Sequence, residues 1–206
     1  MTWINTIDYE SAEGKLKTIY DRVKGPDNNV DNILMAHSLR PHTLEGHMTL
    51  YKYVLHHPHN KVPKWVLEAI GTYVSILNNC HYCIDHHYQG LRRLLNNEER
   101  SQGLRDALDA KKPEVAVSGG FIDSQVAAAL NYAAKLTTSP STVQPTDINE
   151  LRVNGFSDGE ILEINQVTAY FGYANRTVLG IGVNTDGDLI GLSPNDSDDP
   201  DNWGHQ

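Results

Sequence analysis

Apolar residues recur every three to four positions along most of this 206-residue chain, and each run opens and closes on a helix signal. Leu16, Ile19, Tyr20 and Val23 form the first run after the polar stretch Asp8 to Ser11, and Gly25 and Pro26 end it. Asp31 is placed to cap a short helix through Ile33, Leu34 and Met35. Pro41 opens a helix with Leu44, Met48, Tyr51, Val54 and Leu55 on one face, closed at Pro58. Pro63 starts the segment Lys64 to Leu77, Asn78 and Asn79 interrupt it, and another helix runs from Cys80 to about Leu95. Helices over Glu98 to Leu108 and Ser124 to Leu136 follow, separated by a loop through Pro113, Gly119 and Gly120. Thr146 and Ser157 begin the last two. Ser157 with Glu160 has the form of a capping box ahead of the long periodic segment Ile161 to Leu179, and Gly155 supplies the preceding stop. Strand-like alternation is confined to the short candidate Thr185 to Ile190. The pattern predicts an all-α helical bundle.

Hydrophobic residues make up 39% of the chain, enough for one core without covalent staples. Residues 1–183 read as a single helical domain and 184–206 as an irregular acidic tail, solvated after Leu192, where Asp196, Asp198, Asp199 and Asp201 lie. Sliding the sequence by 95 residues lays Leu67 and Glu68 on Leu162 and Glu163, Cys80 on Asn175, Cys83 on Val178 and His87 on Gly182. That register suggests an active repeat over about 30–110 and a degenerate one over about 120–183. The net charge of -9, from 26 acidic against 17 basic residues, disfavours nucleic acid and anionic membrane surfaces as partners. The first residues lack a basic segment followed by an apolar one, and no apolar run reaches membrane-spanning length, so a cytoplasmic protein is expected.

Chemistry concentrates between positions 68 and 87. The two cysteines, Cys80 and Cys83, are three residues apart, too close to build a disulfide framework of the secreted kind. On a helix, Cys80, Cys83 and His87 project from one face. With Asn79 as cap, both cysteines fall in the first turn, where free backbone N–H groups and the dipole favour a thiolate. A thiolate attacking a peroxide leaves a sulfenic acid, and a neighbouring thiol condenses with it to a disulfide. Glu68, twelve residues upstream of Cys80, is placed to accept a proton through His87 or a bridging water.

The spacing of Glu68, Cys80, Cys83 and His87 resembles the motif of the alkylhydroperoxidase D-like proteins within the carboxymuconolactone decarboxylase superfamily, and the two-repeat, peroxidase-related branch most of all. The resemblance extends over most of the chain, from the helix after Asp31 to the glycines near Gly182. It implies an all-helical fold that forms homo-oligomers and a thiol-dependent hydroperoxidase without flavin, haem or metal. It also implies that Cys83 is the sulfur attacked by a small-molecule hydroperoxide, that Cys80 resolves, and that Glu68 and His87 relay protons. An external thiol or lipoyl-type carrier would regenerate the pair. In one respect the chain departs from the pattern: better-known members carry histidine immediately before the second cysteine, where this chain has Tyr82, with His81 displaced by one.

Other readings of these residues stay open. Two thiolates with His81, His86 or His87 make half of a zinc site, although a second pair is missing. A c-type haem needs histidine after the second cysteine, where Ile84 stands, and a thioredoxin-like motif needs a strand before it. A lactone decarboxylase or isomerase of the same superfamily has no use for the dithiol, and a redox-sensing helical module would use it without turnover. His37, His42, His47, His56, His57 and His59 crowd one stretch; those around Pro58 read as a solvated helix end. Tyr73, Tyr170, Phe171 and Tyr173 read as core or subunit interface, and Arg176 is expected to have an acidic partner.

Overall fold

Local signals set the helix boundaries, and one segment apolar on all sides organises the rest. The computed structural model describes residues 2–194, 197, 199 and 202–205. Among them are ten α-helices: α1 (Gly14–Val23), α2 (Asn32–Met35), α3 (Pro41–Leu55), α4 (Lys64–Leu77), α5 (His81–Leu95), α6 (Glu98–Asp109), α7 (Pro113–Ser118), α8 (Ser124–Thr138), α9 (Pro145–Val153) and α10 (Asp158–Ile181). No strand is present among the described residues, and Thr185 to Ile190 forms turns. None of the described helices is long and apolar enough to cross a membrane.

Every residue of α4 from Val66 to Ile76 is buried, as a helix without a polar face must be. It packs against α5, α8 and α10, so the core surrounds it. The capping box is formed, with Ser157 accepting from the Glu160 N–H and the Glu160 carboxylate accepting from the Ser157 N–H at 2.8 Å. α10 then runs unbroken for 24 residues.

Three details differ from the sequence reading. The expected loop through Pro113 contains α7, a six-residue helix whose Pro113 and Ala116 are buried; tertiary packing overrides the weak propensity of Val115 and Val117. Asp31 stands at the α2 N-cap without a side-chain bond to the helix, and the Asp188 carboxylate accepts the Asn32 N–H in its place, at 3.0 and 3.1 Å. Arg176 is exposed and donates to the Gly172 carbonyl oxygen on its own helix, so it needs no acidic partner.

Gly71 lets α10 lie close against α4. A Cβ at this position would fall inside the van der Waals envelope of the Phe171 ring. Alanine gains about 1 kcal/mol of helix propensity over glycine, but overpacking a closed core costs about 1–3 kcal/mol, more when a ring must move. Gly71→Ala should therefore be destabilising by about 2 kcal/mol in urea unfolding; an unchanged or raised midpoint would show that α10 adjusts freely.

Candidate active site

The dithiol sits in the turn between α4 and α5. Asn79 adopts a left-handed conformation (φ 55°), which asparagine tolerates better than most residues, and Cys80 N–H donates to the Ser75 carbonyl oxygen at 2.9 Å. The expected cap at Asn79 is thus shifted by one: Cys80 itself is the N-cap residue of α5 and Cys83 stands at N3. The two sulfurs are free, hydrogen-bonded and 3.2 Å apart. Both residues are almost fully buried.

Burial and bonding divide the pair. Cys80 is held below the usual thiol range by the hydrogen bond from Cys83, by the Cys83 backbone N–H and by the Asn175 amide, against the opposing effect of burial. The Cys83 thiol is pushed well above that range by its bond to Cys80, by burial and by the charge on Cys80. The first proton lost therefore leaves a thiolate on Cys80, with Cys83 donating to it. Asn175 is itself fixed, donating to Ser75 Oγ at 3.1 Å and accepting from Asn78 at 2.9 Å.

Glu68 lies in the buried stretch of α4, and its Oε2 is 2.9 Å from Nδ1 of His87 on α5. Donation from Nδ1 leaves Nε2 as the nitrogen available to a ligand. The His87 ring meets Phe171 edge-on, with centroids 4.5 Å apart, and Gly90 leaves room for the carboxylate.

Glu68, His87 and Cys83 line one cavity of about 40 Å³, room for about three water molecules at 10–15 Å³ each. Cys80 lies behind Cys83, off the cavity wall, so the shared face expected for the two sulfurs and His87 is only partly realised. Tyr51 and Tyr170, stacked at 5.5 Å, form another wall together with His47. Tyr82, at the position of departure, donates to Asp188 Oδ2 at 2.8 Å, accepts from the Ile33 N–H at 3.2 Å and stacks on His86 at 4.5 Å.

Two expectations are corrected here. The tail after Leu192 is irregular but only partly solvated: Trp203 is buried, and Ser193 and His205 join Gly191 in closing the cavity, beside the Asp188 side chain at 2% exposure. Arg93 holds it by donating to the Gly191 carbonyl oxygen and to Ser193. Asp199 is exposed, whereas Asp196, Asp198 and Asp201 lie outside the described residues. His56, read as part of a solvated helix end, is buried edge-on against Tyr51 with both ring nitrogens unpartnered. Burial holds it well below the ordinary histidine range. Nothing in the sequence placed Tyr51, Asp31 or Asp188 at this cavity, and His86 was read only as an alternative zinc ligand, because their neighbours are distant in the chain.

No protein-family model and no curated protein matches the chain. Solved structures do. One is an alkylhydroperoxidase AhpD core, an uncharacterized peroxidase-related protein from Ralstonia eutropha JMP134, with a TM-score of 0.73 at 20% identity over 89% of this chain and 91% of that one. A second uncharacterized peroxidase-related protein, from Silicibacter sp. TM1040, gives 0.64 at 25% identity over 77% and 80%. The chain has the alkylhydroperoxidase D-like fold. A third structure with this fold is the debrominase Bmp8, a cysteine-to-alanine variant in complex with 2,3,4-tribromopyrrole, at 0.61 and 19% identity over 81% and 80%. The alkylhydroperoxidase D-like fold thus carries more than one chemistry, and the choice for this chain rests on its own cavity.

Proposed function

We propose that this protein is a thiol-dependent peroxidase that cycles Cys80 and Cys83 between dithiol and disulfide. The observation that carries the reading is the pair of sulfurs 3.2 Å apart, one of them on the wall of a cavity that also holds the Glu68 and His87 couple. Cys83 meets the peroxide, since Cys80 is off the wall. As the Cys83 sulfur attacks one peroxide oxygen, its proton passes to the Cys80 thiolate and the O–O bond breaks. The departing oxygen takes a proton from an acid of the cavity, leaving Cys83 as a sulfenic acid. Cys80 sulfur then attacks Cys83 sulfur, the S–O bond breaks, and water leaves with the Cys80 proton. Glu68 holds the His87 ring so that Nε2 serves proton transfer at the cavity.

The disulfide must be reduced by an external thiol or lipoyl-type dithiol, which the family resemblance implies together with a homo-oligomeric state, and which fits the cytoplasmic setting expected from the sequence. A cavity of about 40 Å³ favours hydrogen peroxide or a short alkyl hydroperoxide over an aromatic one. Purified protein with dithiothreitol should consume hydrogen peroxide and tert-butyl hydroperoxide catalytically, and cumene hydroperoxide more slowly. One equivalent of oxidation without turnover would favour a redox sensor.

A further inference from the structure

Breaking the O–O bond of hydrogen peroxide or an alkyl hydroperoxide calls for a proton at the departing oxygen as well as removal of one from the attacking sulfur, because hydroxide and alkoxide leave poorly unprotonated. The Cys80 thiolate receives the proton of the attacking sulfur, and besides the Glu68 and His87 couple the cavity carries a second group of titratable side chains. His86 immediately precedes His87 on α5, so its ring leaves the helix about 100° away from that of His87 and enters the cavity beside Tyr82 and Asp31.

Two carboxylates occur here in unequal surroundings. Asp188 accepts from the Tyr82 hydroxyl at 2.8 Å and from the Asn32 backbone N–H at 3.0 and 3.1 Å, which suits an ionised group. Asp31, also buried, accepts from the Asn29 amide at 3.1 Å and faces the Asp188 charge. His86 Nε2 lies 3.5 Å from Asp188 Oδ2 and has no hydrogen-bond partner. A buried carboxyl group beside a second, more fully hydrogen-bonded one is placed as the acid of an acid–base site.

We propose that Asp31 is a second acid in this cavity, delivering the proton to the departing oxygen of the peroxide, with Asp188 and His86 positioning it and Tyr82 anchoring Asp188. The inference rests on the peroxidase reading. Burial, followed by the Asp188 charge, raises Asp31 to about 6 against the lowering effect of His86, so its proton is available close to neutrality. Tyr82 and Tyr51 also face Asp31, and neither ionises in this range because burial pushes both well above the usual phenol value. The balance is one proton from Asp31 to the departing oxygen per turnover, returned from solvent after the disulfide forms.

Asp31→Asn keeps an oxygen for the Asn29 bond and so conserves the fold. The variant and the wild type are compared for oxidation by hydrogen peroxide and by peracetic acid. Hydrogen peroxide expels hydroxide and needs the acid, whereas peracetic acid expels a carboxylate that departs unprotonated. Asp31→Asn should lose about 10²–10⁴-fold in rate with hydrogen peroxide and little with peracetic acid. Equal losses with both oxidants, as from a structural change, would overturn the inference, as would no loss with either. Wild-type protein inert toward both removes the peroxidase reading itself, and this inference with it.

Discussion

Cys83→Ser should abolish peroxide turnover, with a loss on the order of 10³-fold or more, since removing an attacking group takes away a whole step and not one interaction in it. Cys80→Ser should behave differently. Cys83 remains on the cavity wall, so one equivalent of peroxide still reacts, more slowly without the neighbouring thiolate to receive its proton. The sulfenic acid then finds no second sulfur, and it should accumulate, be trapped by dimedone and proceed to the sulfinic acid. Mass spectrometry of each variant after a single equivalent of peroxide separates the two. Turnover retained in Cys83→Ser, or a dimedone adduct on Cys80, would exchange the roles assigned to the sulfurs.

Acid should weaken this fold well before its surface carboxylates titrate. Burial lowers His47 to about 3 and holds His56 far below its ordinary value. In the unfolded chain a histidine takes up its proton near pH 6.5. Between pH 6.5 and about 3 the unfolded state therefore binds a proton that the folded state refuses, and stability falls as pH falls. At pH 5 this amounts to about 2 kcal/mol for His47 relative to pH 7, and His56 acts in the same direction. Asp31 opposes them. Raised to about 6, it takes up its proton in the folded state first, which returns about 1 kcal/mol over the same interval. The histidines outweigh it, so urea midpoints should drop clearly from pH 7 to pH 5. His47 Nδ1 has no hydrogen-bond partner, so His47→Leu should flatten this acid limb by about 2 kcal/mol. An equally steep limb in the variant would mean that His47 is protonated inside the fold.

Helix positions were legible because their causes are local. A proline at position 41 or 63, or the reciprocal bonds of Ser157 with Glu160, acts within one turn whatever the rest of the chain does. The neighbourhood of the two sulfurs follows from the same kind of cause, because residues three apart at a helix start have few other places to go. The motif also pointed correctly to contact between Glu68 and His87, nineteen positions apart. Tertiary structure decided which sulfur faces the cavity, and α10 brings Asn175 to the pair from about 95 residues away. It also decided that Asp188, in an acidic segment with no partner for it legible in the sequence, bonds Tyr82 and the start of α2 from 106 and 156 residues away. A charge pattern records how well a residue tolerates water, not whether two buried donors elsewhere in the chain will replace it. Only the closed core supplies those donors.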